Sequence, residues 1–243
     1  QNAVPGLTNR WLARVVDAAA VTYEQSLRWF ARGAFVAGNP VREGFLRVAA
    51  DAGPAAAAGA RRRVLVFGGS QGATAINDAM VSAAPALARA EPAIELTHQT
   101  GERDLGRVRA AYEQAGLKAR VEPFLHEMDR EMASADLVVS RAGATTLAEL
   151  TACGRPAVLV PLPTATDDHQ RRNAEALAAA GAAEVIEQAG LTGARLAARV
   201  LALLDDGPRL ERMGAAARAA ARPEAARVIA ERVIALARGE HGR

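Results

Sequence analysis

Short β-forming segments alternate with helical segments through most of this chain, and this alternation restricts the fold more than any other feature. The clearest strand is Arg63–Phe67, a continuous β-rich run that ends in glycines and precedes apolar residues at helical spacing. The pattern predicts strands at 63–67, 94–97, 119–124, 135–140, 157–160 and 183–186, and helices at 73–89, 104–115, 128–134, 145–153 and 168–180, before three Ala/Arg-rich helices. Such alternation predicts the α/β class, with a Rossmann-like parallel sheet and helices on both faces.

The first part of the chain lacks this pattern. Trp11–Val15 is predicted to be helical, and Ala18–Thr22 and Ala34–Val36 are predicted short strands, too few elements to bury a core alone. Residues 51–59, rich in Ala with Gly and Pro, predict a surface loop or linker. Because the chain begins with Gln1, we also expect it to be a fragment. The predicted divisions are 1–44, a remnant of an N-terminal domain with its linker, 45–222, the main domain, and 223–243, a C-terminal helix.

The composition argues against several classes of protein. The net charge is only +3, and the basic residues are interleaved with acidic ones, so a nucleic-acid-binding surface is not indicated. Cys153 is the single cysteine and the four histidines lie far apart, which excludes a disulfide framework and disfavours a metal site. No apolar run approaches the ~20 residues of a membrane span. We therefore expect a protein of a reducing cytoplasm with no metal or other cofactor.

The glycine-rich turn Gly68–Gly72 follows the first predicted strand of the sheet and supports two chemical hypotheses. In the first, its backbone and the next helix N-terminus bind an anion, and the Ser70 hydroxyl adds a contact to a phosphate. In the second, the turn is the G-x-S-x-G nucleophile elbow of a hydrolase, with Asp136 or Asp167 and His169 completing a triad. A tight turn without a ligand is the simplest alternative. The early position of the turn in the sheet disfavours the hydrolase.

A second small-residue turn follows the strand at 135–140 and opens the next helix. Thr145 or Thr146 can cap that helix, with Glu149 at capping-box distance from Thr146. Alternatively, the turn supplies a second set of free N–H groups, and the Glu149 carboxylate binds ribose hydroxyls. Polar residues at 161–173 form a third cluster that can contact sugar hydroxyls or is simply solvated. Two anion-ready turns on one sheet edge favour a binding site.

The three clusters together resemble the MurG family of bacterial transferases, which have the GT-B architecture of two Rossmann-like domains facing a cleft. The resemblance spans nearly the whole chain. Its matching residues are Gln1-Asn2, Gly6–Asn9, Gly38–Arg42, Gly68–Ala73, Ser140–Ala144, Glu149, Gln170, Asn173 and Gly181–Ala183. By this resemblance the chain is the C-terminal donor domain of such an enzyme, with a remnant of the N-terminal acceptor domain.

The resemblance also implies roles for individual residues. Ser70 is expected to contact the diphosphate, Leu125 to read uracil through its backbone, and Glu149 to bind ribose. The remaining implied donor-site residues are Ala144, Thr145 and Thr146 at the diphosphate and sugar, Gln170 at the hexose, and Arg42 and Asn2 from the linker and first domain.

The activity implied by the resemblance is inverting transfer of N-acetylglucosamine from UDP-N-acetylglucosamine to an undecaprenyl-linked muramyl-pentapeptide. The family's candidate base, on a glycine-rich loop, and its membrane-binding patch belong to the N-terminal domain, and no Gly-Gly-Thr-Gly-Gly-His element occurs here. We thus expect no catalytic residue in this chain, weak or no binding of UDP-sugar, and no transfer. The implied location is peripheral, on the cytoplasmic face of the plasma membrane. The alternatives are a nucleotide-sugar binding module without catalysis and another GT-B UDP-sugar enzyme.

Overall fold

The computed structural model describes residues 1–30, 32–51, 62–69, 72–165 and 168–239. Ser70, Asp167 and most of the predicted linker at 51–59 lie outside these ranges. The strands are β1 (Ala19–Val21), β2 (Ala34–Val36), β3 (Arg63–Phe67), β4 (Glu95–Gln99), β5 (Ala119–Glu122), β6 (Leu137–Ser140), β7 (Ala157–Leu159) and β8 (Ala183–Val185). The helices are α1 (Leu7–Leu12), α2 (Glu43–Asp51), α3 (Thr74–Leu87), α4 (Leu105–Ala115), α5 (Met128–Ser134), α6 (Ala144–Ala152), α7 (His169–Ala179), α8 (Gly193–Asp205), α9 (Gly207–Ala220) and α10 (Ala225–Ala237).

The predicted parallel sheet is confirmed, with helices on both faces. Its six strands lie in the order β5-β4-β3-β6-β7-β8, and every neighbouring pair is parallel. Side chains alternate along β3, so that Val64 and Val66 join the core beneath α3, α4 and α8, while Leu65 and Phe67 join the core beneath α5, α6 and α7. All residues of β6 and β7 are buried, as expected for strands covered on both sides.

The strand order brings two turns together. The chain runs from β3 outward through β4 to β5, then returns to place β6 on the other side of β3 and continues to β8. This reversal is the topological switch point at which open α/β sheets bind ligands, beyond the carboxyl ends of the strands. The turns that follow β3 and β6 are therefore neighbours at that edge.

The front of the chain differs from its prediction in two helices. α1 occupies Leu7–Leu12 instead of Trp11–Val15. None of its residues is buried, so no apolar face marks its position in the sequence. α2, Glu43–Asp51, was not predicted, and the expected domain boundary at residue 44 falls inside it. The predicted strands are confirmed as the parallel pair β1–β2.

The front segment, residues 1–44, is attached by side-chain hydrogen bonds to helices that pack on the main sheet. The buried Asn173 of α7 accepts from the Ala3 amide (2.8 Å) and donates to the Asn2 side chain (2.9 Å). Near the other end of the segment, Arg42 pairs with Glu149 of α6. Among the helices in the described parts of the chain, none is long and apolar enough to cross a membrane.

The turn between β3 and α3 is closed by a backbone hydrogen bond and lies in close contact with the backbone of Thr100. The Gly72 amide donates to the Gly69 carbonyl (3.0 Å), and both glycines have positive φ, +95° at Gly69 and +72° at Gly72. A Cβ on Gly72 would overlap the carbonyl oxygen of Thr100, the residue that follows β4. Glycine is therefore required at position 72 by both conformation and space.

We expect Gly72→Ala to lower the free energy of unfolding by about 3 kcal/mol, combining a left-handed backbone cost with overpacking against Thr100. Gly116→Ala is the matched control, because Gly116 has φ +70° and open space where the Cβ would lie. It should cost only about 1 kcal/mol. Urea unfolding of the two variants measures the difference, and equal costs would show that the contact with Thr100 is unimportant.

Candidate functional site

A crevice lies at the carboxyl edge of the sheet, between the turns that follow β3 and β6. Gly69 and Gly72 line it on one side, Gly143 and Thr146 on the other, and Gln170 of α7 borders it as well. The expectation that the two turns share one edge is confirmed by the pairing of Phe67 with Ser140, the last residues of the two strands.

Helix α6 directs at this crevice backbone donors that have no hydrogen-bond partner among the described residues. It begins at Ala144, its N-cap Gly143 is extended (φ −66°, ψ 143°), and no side chain caps it. The first helical hydrogen bond runs from the Leu147 amide to the Gly143 carbonyl (3.0 Å). The amides of Ala144, Thr145 and Thr146 precede that bond and lie at the positive end of the helix dipole, so they are suited to bind an anion.

The predicted capping of α6 is wrong. Thr145 and Thr146 lie inside the first turn, and Glu149 is in the second turn, out of capping-box register. The helix begins earlier than the capping pattern predicted because Gly143 takes the N-cap position. Thr146 is thereby left lining the crevice, and Thr145 is exposed to solvent.

Helix α3 presents the same feature from the opposite side. It begins at Thr74, its N-cap Ala73 is extended, and it too has no side-chain cap. The first bond is donated by the Asn77 amide to the Ala73 carbonyl (2.9 Å). Two uncapped helix N-termini thus meet at one crevice, an arrangement that can hold a ligand with two adjacent anionic groups.

Glu149 and Arg42 are brought together although they are far apart in sequence. The Arg42 Nε donates to Glu149 Oε1 (2.8 Å), and the arginine also stacks over the Phe45 ring, 4.8 Å from its centre. The Glu149 side chain is only 7% exposed, whereas that of Arg42 is 67% exposed. Burial raises the pKa of Glu149 despite the attraction of Arg42, and the Asp129 carboxylate raises it further. Burial dominates because solvent screens the exposed guanidinium.

Gln170 and Asn2 also lie at or near this edge of the sheet. Gln170 Oε1 accepts from the Leu162 amide (3.0 Å) and from the Ala142 amide (3.3 Å), so it joins the turn after β6 to the loop after β7. Asn2 reaches the same region through Asn173, whose Nδ2 also donates to the Ala142 carbonyl (3.4 Å). Both predicted residues are therefore connected to the turn that opens α6.

Leu125 lies in the loop after β5 and is buried. Its amide donates to the Gln99 side chain (2.8 Å), so this N–H group already has a partner. Sequence reasoning missed Gln99, although a polar residue ending an otherwise β-forming segment at the ligand edge was a usable signal.

Arg141 was noted in the sequence only as part of a motif, without a role of its own. Its guanidinium donates to the Val160 carbonyl (3.0 Å), the Pro161 carbonyl (3.1 Å) and Gln188 Oε1 (2.7 Å). These bonds connect the turn after β6, where Arg141 lies, to the loop after β7 and to the segment after β8. Burial lowers the pKa of Arg141.

The hydrolase hypothesis fails for one of its two acids. Asp136 accepts from the Arg63 amide (2.8 Å) at the start of β3, the opposite edge of the sheet from the glycine turn. It cannot complete a triad with residue 70. Of the other members proposed, Ser70 and Asp167 lie outside the described residues, and His169 is the first residue of α7.

We expect Arg42→Ala to raise the pKa of Glu149 further, because the variant loses the cation that favours the ionised carboxylate. An acid whose pKa is raised in the folded state stabilises the fold below its ordinary pKa and loses that contribution as the pH rises. The variant should therefore lose more stability than the parent between about pH 4 and pH 8. Carbon-13 NMR titration of the Glu149 carboxyl tests the shift.

Arg47→Ala is the matched control, because Arg47 pairs with the exposed Glu43 (3.9 Å) and not with Glu149. The control should leave the Glu149 titration unchanged. An unchanged titration in Arg42→Ala would contradict the assignment of this pair.

Comparison with known proteins identifies the family. Residues 63–232 match the glycosyltransferase family 28 C-terminal domain. A UDP-N-acetylglucosamine--N-acetylmuramyl-(pentapeptide) pyrophosphoryl-undecaprenol N-acetylglucosamine transferase of Pelobacter propionicus is 47% identical, covering 96% of this chain and 67% of its own length. The protein of the same name from Anaeromyxobacter sp. strain Fw109-5 is 46% identical, and the match covers 100% of this chain and 63% of that protein.

A solved structure agrees with these relatives. The crystal structure of Acinetobacter baumannii MurG matches with a TM-score of 0.81 and 32% sequence identity, over 95% of this chain and 63% of that one. The chain thus spans 63% to 67% of the length of these three relatives. Its sheet and surrounding helices are those of the C-terminal domain of a GT-B glycosyltransferase. The chain belongs to the MurG family of glycosyltransferases, within glycosyltransferase family 28.

Proposed function

We propose that this chain holds the nucleotide-sugar donor in the transfer of N-acetylglucosamine from UDP-N-acetylglucosamine to an undecaprenyl-linked muramyl-pentapeptide. The names of its relatives describe this reaction for those proteins. The observation that carries the proposal for this chain is the meeting of two uncapped helix N-termini, those of α3 and α6, at the switch point of the sheet.

These two N-termini bind the donor diphosphate. The amides that open α6, at Ala144, Thr145 and Thr146, bind one phosphate, and the start of α3 with Gly72 binds the other. The contact of the Ser70 hydroxyl with the diphosphate stays a prediction from the sequence. In transfer, the acceptor hydroxyl attacks the anomeric carbon and the bond to the diphosphate breaks. The helix dipoles stabilise the negative charge that develops on the departing UDP without needing to reorganise.

The remaining residues recognise the rest of the donor. Glu149 binds the ribose hydroxyls, since a carboxylate accepts two adjacent O–H groups well. The backbone of Leu125 recognises uracil. Its carbonyl is the group available for this role, because its amide already donates to Gln99. Gln170 contacts the hexose. Arg42 and Asn2 approach the donor from the linker and front segment, where Arg42 competes with the ribose for Glu149.

Binding of the acceptor and contact with the membrane are functions that we assign to the full-length enzyme. We assign no general base to the residues of this chain. The lipid-linked acceptor implies peripheral contact with the cytoplasmic face of the plasma membrane. We expect no transfer by this chain in an assay with the lipid-linked acceptor, because it supplies no general base. Detectable transfer would overturn that expectation and would exclude a module that only binds the nucleotide sugar.

The role of Glu149 predicts a preference for ribose over deoxyribose. We expect the chain to bind UDP more tightly than 2′-deoxy-UDP, and Glu149→Gln to reduce that preference about tenfold, because charge-assisted hydrogen bonds to the ribose are lost. NMR titration measures both ligands even when they bind weakly.

Glu175→Gln is the matched control, because Glu175 is an exposed residue of α7 paired with Arg171 (3.0 Å). It should leave the preference unchanged. An unaltered preference in Glu149→Gln would remove Glu149 from the ribose site, and no binding of UDP by the unmodified chain would contradict the donor proposal itself.

A further inference from the structure

Gln99 occupies a central place at the ligand edge of the sheet. It is the last residue of β4, paired with Phe67 of β3 on one side and Glu122 of β5 on the other. The residue is 2% exposed. Its side chain therefore lies between the glycine turn that follows β3 and the Leu125 loop that follows β5.

The Gln99 amide makes one hydrogen bond to each of these loops. Its Nε2 donates to the Gly69 carbonyl (2.9 Å), and its Oε1 accepts from the Leu125 amide (2.8 Å). The Gly69 carbonyl is also the acceptor that closes the turn, from the Gly72 amide. A primary amide suits this position because it carries a donor and an acceptor on one planar group.

The neighbours of Gln99 in the chain make other contacts and do not connect the Gly69 turn to the Leu125 loop. The next residue, Thr100, continues the strand pairing by donating its amide to the Glu122 carbonyl (3.0 Å). On the other face of β4, His98 bonds to Tyr112 (2.6 Å) and Asn77 (3.1 Å). Gln99 is the residue whose side chain reaches both the Gly69 turn and the Leu125 amide.

We propose that Gln99 is a positioning residue that fixes the spacing between the diphosphate-binding turn and the base-reading loop. One buried amide thereby makes recognition of the uracil and of the diphosphate depend on each other. This inference rests on the proposed binding of UDP at the crevice. Gln99 itself touches the two loops and not the nucleotide.

Two substitutions separate the two hydrogen bonds. Gln99→Met removes both while keeping a side chain of similar length. Gln99→Glu keeps an acceptor for the Leu125 amide but, in its ionised form, has no donor for the Gly69 carbonyl. Gln114→Glu is the matched control, because Gln114 is an exposed residue of α4.

The readout is a pair of affinity ratios from NMR titration of the full chain at about pH 8. The ratio of UDP to uridine reports the diphosphate turn, and the ratio of UDP to CDP reports the base loop. Gln99→Met should reduce both ratios, by about tenfold for the first. Gln99→Glu should reduce the UDP-to-uridine ratio and preserve the UDP-to-CDP ratio, and Gln114→Glu should change neither.

The outcomes distinguish this role from a general loss of structure. Equal weakening of all three ligands, or unchanged ratios in both Gln99 variants, would overturn the positioning role while leaving the donor site in place. If Gln99→Met does not fold, the neutral Gln99→Leu takes its place, because the carboxylate of Gln99→Glu also repels the diphosphate directly. Absence of UDP binding by the unmodified chain would overturn the proposed function, and the positioning role with it.

Discussion

The site depends on one constraint, the return of the chain that places β6 beside β3. Parallel strands carry their following turns at the same edge, so adjacency of these two strands makes their turns neighbours. Each turn opens a helix without a side-chain cap, and two partly positive helix ends then face the same space. The burial of β6 and β7 on both faces holds this edge in place, because the strands cannot shift register without exposing apolar side chains.

A buried polar network supports the glycine turn from behind. The side-chain Nδ2 of Asn77 in α3 donates to the Thr100 carbonyl (3.0 Å) and to Asp104 (2.8 Å), and its Oδ1 accepts from His98 Nε2 (3.1 Å). Burial lowers the pKa of His98 to about 3, so the ring is neutral near pH 7 and its network carries no buried imidazolium charge. Thr100 in turn lies against Gly72. The turn is thus held by contacts on both faces of β4.

Much of the fold could be predicted because its signals are local. β3 occupies its predicted range, and α5 does as well, since continuous apolar runs and helical spacing are read directly from the sequence. The crevice could be predicted only in outline. The Gly143 cap, the pairing of Arg42 with Glu149 and the role of Gln99 depend on contacts between distant segments, which periodicity does not encode. α1 was misplaced because none of its residues is buried, so the sequence carries no amphipathic pattern that marks its ends.

The most direct measurement of the central claim is a crystal structure of the chain with UDP-N-acetylglucosamine. The diphosphate should lie between the two turns, with its oxygens within hydrogen-bonding distance of backbone amides at the start of both α3 and α6. The uridine should extend toward Glu149 and Leu125. A nucleotide sugar bound elsewhere, or held by only one of the two helix N-termini, would contradict the account.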